Sequence, residues 1–186
     1  MKVVHRGDAS ALKRALTRAV GQQPSWHGDA TLADHPGFHV DHYRALVGTG
    51  EQAFAVAVET VMSWGIQRGA GLTVLATDDR AREGTTVVIG LPIGPALILA
   101  PCRVTEVFDS RDRAGFRYVT LPGHPEDGFE EFVVERSADD EVCFVVRPVS
   151  RPGSMLTRLA APVSRLIQRR AARRYLAACR AAGATG

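Results

Sequence analysis

The stretch GFRYVTLPGHPEDGFEE, residues 115–131, decides how this chain folds. Phe116, Tyr118 and Thr120 alternate with Arg117, Val119 and Leu121, so the segment reads as a strand with two distinct faces. Pro-Gly-His-Pro then forces a turn, and a second alternating run follows, with Glu130, Phe132 and Val134 sharing a face. Two such runs around a short Pro/Gly break make an antiparallel hairpin whose polar side chains gather at the turn.

Working outward, the same period of two extends from Leu72 to Ser150. It predicts strands near 72–77, 84–91, 97–109, 114–121, 129–136 and 141–149. Breaks this short imply an antiparallel meander. Upstream, residues 38–46 read as a first strand. Thr49 and Gln52 then form a capping box for a helix carrying Phe54, Ala57, Val58, Val61 and Met62 at helical spacing up to Trp64. Gly65, Gly69 and Gly71 read as its end, leaving little room for a second helix. Asp8 is placed to cap a helix over 9–20, and residues 21–37 read as a loop. Downstream, Pro152-Gly153-Ser154 introduces a long helix to about residue 182, either kinked at Pro162 or starting just before it.

Composition sets the class. The 186 residues, 45% hydrophobic and 23% charged, suit one globular domain at 37–183 with an N-terminal extension at 1–36. The net charge is only +3, but arginines crowd the last helix while residues 126–141 are rich in acids. The N-terminus lacks the apolar core of a signal peptide. The longest apolar run, 87–102, is interrupted by Gly90, Pro92, Gly94, Pro95 and Pro101, so it reads as two buried strands rather than a membrane span. Cys102, Cys143 and Cys179 are widely spaced, as expected of reduced thiols in a cytoplasmic protein.

A meander followed by a long helix has one natural packing. The fold class expected is α+β, with a curved antiparallel sheet of about seven strands wrapped around the C-terminal helix and one helix after the first strand. A helix cannot fill the whole concavity, which leaves room for a ligand. The motifs PCRV (101–104), the hairpin itself, SRP (150–152), VGTGEQAF (47–54), the Trp64 region and QRRAARRY (168–175) together resemble the domain-of-unknown-function family numbered nineteen-ninety. The resemblance covers roughly residues 36–180 and departs at Phe129, where a further acid is expected. It implies the helix-grip fold of the START and birch-pollen-allergen superfamily, and no reaction or cofactor.

Candidate chemistry follows from the faces. With Phe116 and Phe132 inward, Tyr118 and Glu130 enter the concavity together, as a ligand-orienting or proton-moving pair or simply as mutual hydrogen-bond partners. His124 in its turn is a possible general acid or base, or a brace. Catalytic candidates are therefore Tyr118, His124 and Glu130. Ligand-binding candidates are Arg103, Tyr118, Thr120, Glu130, Arg147, Arg170 and Arg174. The last two continue a helical stripe of Leu156, Leu159, Val163, Leu166 and Ile167, while Arg165, Arg169, Arg173 and Arg180 fall on the other side. His27, His35, His39 and His42 lie near Asp34 and Asp41 but impose no ligand geometry, so no metal is expected. No GxSxG, P-loop, GxGxxG or CxxC motif is present.

The leading expectation is a protein that binds a small apolar or amphipathic molecule between sheet and helix, without a cofactor. A cyclase, dehydratase or isomerase using the same space is the alternative. A third reading, a binder of nucleic acid or an acidic partner through the Arg-rich helix, is weakened by the scarcity of aromatics for base stacking.

Overall fold

The computed structural model describes residues 2–26, 37–153 and 161–183. In chain order its elements are β1 (Lys2–His5), α1 (Ala9–Ala19), β2 (His39–Val40), β3 (Tyr43–Thr49), α2 (Gly50–Met62), α3 (Gly65–Gly69), β4 (Thr73–Ala76), β5 (Thr86–Ile93), β6 (Ala96–Ser110), β7 (Arg113–Thr120), β8 (Glu126–Arg136), β9 (Glu141–Pro152) and α4 (Ala161–Gly183). The strands form one nine-stranded antiparallel sheet in the order β2-β9-β8-β7-β6-β5-β4. β3 continues the β2 edge along β9, and β1 pairs with the first part of β6.

The six-strand meander is as the alternation predicts, because period two is a local signal and the strands are joined by short connections, the longest at 77–85. Other elements differ from expectation. β1 adds a strand too short to stand out in the sequence, and the first predicted strand divides at Asp41 and His42 into β2 and β3. Thr49 is the N-cap of α2, yet its side chain makes no capping hydrogen bond, so the capping box is not formed. The chain does fit a second helix, α3, after Trp64. Trp64 itself takes a left-handed conformation (φ 63°) and turns the corner between α2 and α3. Its buried indole Nε1 donates to the Asp78 carbonyl at 3.1 Å, tying that corner to the β4–β5 connection. α4 starts just before Pro162, as one of the two readings anticipated.

Two faces organise the rest. The inner face of β5–β9 carries Ile89, Cys102, Val104, Phe116, Phe132, Phe144 and Val146, packed with Val61, Trp64 and Ile66 from the α2–α3 corner and with Tyr175 and Cys179 from α4. The rings form a chain: Trp64 meets Phe116 edge-on at 5.1 Å, Phe116 stacks on Phe132 at 5.4 Å, and Phe132 meets Tyr175 edge-on at 5.4 Å. Burying each large side chain contributes about 2–3 kcal/mol, so this chain of rings is what holds α4 to the sheet. The architecture is the helix-grip fold. On the outer face, Leu12, Ala15 and Leu16 of α1 pack on Val88, Leu97 and Leu99. Asp8 caps α1 by accepting from the Ala11 N–H at 2.9 Å.

Two glycines let the hairpin strands close up. A Cβ on Gly128 (φ +148°) would lie 2.0 Å from the Val149 carbonyl oxygen, and one on Gly115 (φ +149°) 2.1 Å from that of Phe132. Only glycine fits either position.

Candidate functional site

Strand pairing places Tyr118 directly opposite Glu130. Both point to the inner face, and the Tyr118 hydroxyl donates to Glu130 Oε2 at 2.6 Å. Strand parity alone puts both residues on one face, and the hairpin register fixes their contact. Pro148 of β9 lies across from Glu130 on its other side. Tyr118 is buried, whereas Glu130 keeps part of its surface accessible although its chain neighbours Phe129 and Glu131 are buried. Tyr118 belongs to the apolar cluster of the inner face, its ring 5.4 Å from that of Phe132.

The environment is hostile to charge. Burial raises the Glu130 carboxyl from 4.5 to about 7, against the Tyr118 hydrogen bond that lowers it, and Glu126 adds a further push upward. Burial, and next the charge of Glu130, push the Tyr118 phenol well above its ordinary value. Tyr175 from α4 and Cys102 from β6 feel the same two influences in the same order and also stay protonated. The result is one carboxyl near its half-ionised state at neutral pH, set among neutral hydrogen-bonding groups and aromatic rings. Such an arrangement can orient a polar group of a ligand, or hold and release one proton.

The remaining expected residues are placed differently. His124 N–H donates to the Leu121 carbonyl, and its Nδ1 lies 2.9 Å from both the main-chain nitrogen and oxygen of Glu126, which makes it a brace of the turn. Burial lowers it to about 4, so it is neutral near pH 7. Thr120 Oγ1 accepts from the Gly128 N–H at 3.1 Å and locks the hairpin. Arg103 is on the outer face, where it donates to the carbonyls of Ala19 and Gln22 and to Thr86 Oγ1. It anchors the end of α1.

Arg147 is also outward. It donates to Glu135 at 2.8 Å and to Glu131 at 3.5 Å, and Arg117 bonds the same Glu131. Glu131 is only 2% exposed and forms the buried centre of a half-buried ion cluster on the outer face. Arg170 and Arg174 are exposed, as are Arg173 and Arg180. The expected alignment of Arg170 and Arg174 with the core is therefore corrected: the buried face of α4 is Ala172, Tyr175 and Cys179. The stripe was extrapolated from large apolar residues, whereas this half of the helix packs through small ones. Gly69 of α3 approaches so closely that a Cβ there would lie 2.8 Å from the Ala178 Cβ. Leu156 and Leu159 lie outside the described residues, as do the side chains of Val163, Arg165, Leu166, Ile167 and Arg169. His27, Asp34 and His35 are also outside them. Among the described residues no group of three or more metal-binding side chains occurs.

Sequence reasoning missed Tyr175 and Cys102 as members of the site. Cys102 reads as a packed thiol and Tyr175 only as the end of the QRRAARRY run, and the docking of α4 brings Tyr175 near Glu130. It also missed Gln67 of α3, which is fully buried and has both amide atoms without a hydrogen-bond partner among the described residues.

A family model described as "Domain of unknown function (DUF1990)" matches residues 25–178. A UPF0548 protein of Deinococcus radiodurans is 38% identical over 108 residues, which cover 54% of this chain and 54% of that protein. The chain thus spans about half the length of that relative. A UPF0548 protein of Arabidopsis thaliana is 26% identical over 148 residues, covering 75% of this chain and 71% of that protein. Among solved structures, a hypothetical protein from Helicobacter pylori superposes with a TM-score of 0.61 at 12% identity, covering 84% of this chain and 93% of that one. That likeness bears on the fold alone.

Proposed function

The chain belongs to the domain-of-unknown-function family DUF1990, and from that premise, which assigns no reaction, we propose that it binds a small amphipathic molecule between the sheet and α4. The observation that carries this reading is Glu130: a carboxyl on an otherwise apolar inner face, oriented by Tyr118, in a residue that keeps part of its surface accessible. A carboxyl placed solely for stability would be paired and sealed, as Glu131 is on the outer face. Glu130 instead has a neutral partner and an accessible remainder, which suits a polar group brought in by a ligand whose apolar body lies along the rings.

The test is saturable binding. Titration with the neutral apolar dye Nile red should give one site per chain, and native mass spectrometry of the freshly purified protein should show a bound mass. Absence of both would overturn the proposal.

The position of Glu130 near 7 favours one further reading, in which it serves as a general acid or base in an isomerase- or dehydratase-type reaction on that ligand. Once a ligand is identified, Glu130→Gln should abolish its conversion even at ligand concentrations that saturate the variant. Conversion that survives in Glu130→Gln would exclude this role.

A further inference from the structure

The proposed site has a sign. Each described arginine beside the hairpin that could have supplied an inward cation is either engaged elsewhere or exposed. Arg103 holds the end of α1. Arg113, Arg117 and Arg147 converge on the Glu131–Glu135 cluster of the outer face. Arg151 pairs with Asp127, and Arg170 and Arg174 are exposed. Arg136 shares the inner parity of Glu130, but it sits six positions along β8, about 20 Å away at strand rise, and pairs with Asp112. Among the described residues, the side chains that act on the Glu130 carboxyl are Tyr118 and Glu126, and no lysine or arginine is one of them. The inner face around Tyr118 holds the Glu130 carboxyl and the rings of Phe116, Tyr118, Phe132 and Tyr175.

We propose that the ligand is an organic cation, an amphipathic amine whose ammonium group meets the Glu130 carboxylate while its apolar body lies against these rings. Resting on the binding reading above, this assigns the ligand's chemical class. An ammonium supplies what the site lacks on both counts: it pairs with the carboxylate and is attracted to the negative ring faces. A carboxylate or phosphate would meet Glu130 with no cation among the described residues to offset the repulsion. A wholly apolar molecule would leave the Glu130 carboxyl unmatched.

The pairing carries a pH dependence. The groups facing Glu130 are Tyr118 from β7, Cys102 from β6, Tyr175 from α4 and Glu126 from its own strand. Both tyrosines and Cys102 stay protonated across the neutral range, which leaves Glu130 as the titrating member at the centre of the cluster. An ammonium selects its ionised form, so binding strengthens as the pH rises through about 7 and releases a proton where Glu130 starts protonated.

The experiment uses the full chain and three probes: 2-phenylethylamine, 3-phenylpropanoate and Nile red, each followed by calorimetry or fluorescence at pH 8 and pH 5.5. The amine is expected to bind at pH 8 and to weaken about tenfold or more at pH 5.5. The carboxylate probe is expected not to bind. Glu130→Gln, shown folded by circular dichroism, should lose about tenfold or more of the amine affinity at pH 8, and Glu130→Asp should recover part of it. Carboxylate binding that equals or exceeds amine binding would overturn the assignment, as would amine binding indifferent to Glu130→Gln. Nile red binding without amine binding would overturn it and leave the binding reading standing. No binding of any probe would overturn both.

Discussion

At the scale of single residues, Glu130 combines a liability with a use. Its carboxyl is raised from 4.5 to about 7 in the folded chain, chiefly by burial. Between those values the folded state binds more protons than the unfolded state, so this residue's contribution to stability falls as the pH rises from about 4.5 to 7 and stays unfavourable above that. Glu130→Gln keeps an acceptor for Tyr118 and removes the charge. We expect it to be more stable than the parent by about 2 kcal/mol at pH 8, after allowance for its partial solvent access, with the gain vanishing toward pH 4.5. Urea unfolding at the two pH values measures this. A variant equally destabilised at both would show that the carboxyl is structural. A residue kept at a cost in stability is characteristic of a functional position.

At the scale of elements, the β7–β8 hairpin depends on its glycines and α1 depends on one arginine. Gly128→Ala would drive a Cβ into the Val149 carbonyl and should cost more than about 3 kcal/mol, whereas Gly84→Ala, left-handed but with open space around it, should cost about 1 kcal/mol. Thermal unfolding of the two variants tests the contrast. Arg103→Met removes the donors to Ala19, Gln22 and Thr86 while keeping the length of the side chain. The expected loss is about 1–3 kcal/mol, confined to one element: amides of α1 should exchange faster while those of β6 hold. The contrast between Gly128 and Arg103 also shows what was legible in sequence. Gly128 borders a strand that the period announced from residue 129, and the structure extends that strand back to Glu126. The role of Arg103 depends on carbonyls more than 80 positions earlier in the chain, and no local pattern encodes that.

At the scale of the whole molecule, the sheet holds α4 through Tyr175 and Cys179, while four arginines of the described helix face remain exposed. Tyr175→Ala should cost about 3–5 kcal/mol and loosen α4 from Phe132, read as lost hydrogen-exchange protection across residues 170–183. Protection unchanged in that segment would show that α4 is held elsewhere. The sequence by itself determined the meander, the shared face of Tyr118 and Glu130 on the hairpin, and the packing of sheet against terminal helix. These rest on periodicity and on the chemistry of turns, which act over a few residues. Only the tertiary structure decided which way each arginine points and which stripe of α4 is buried. Strand parity says which side chains share a face but not which face is covered. On α4 the packed stripe consists largely of small residues, whose weak apolar signal cannot fix the helix rotation, and there the close approach of Gly69 to Ala178 makes the choice. The 115–131 hairpin therefore carries the site, and the docked helix gives that site its aromatic wall.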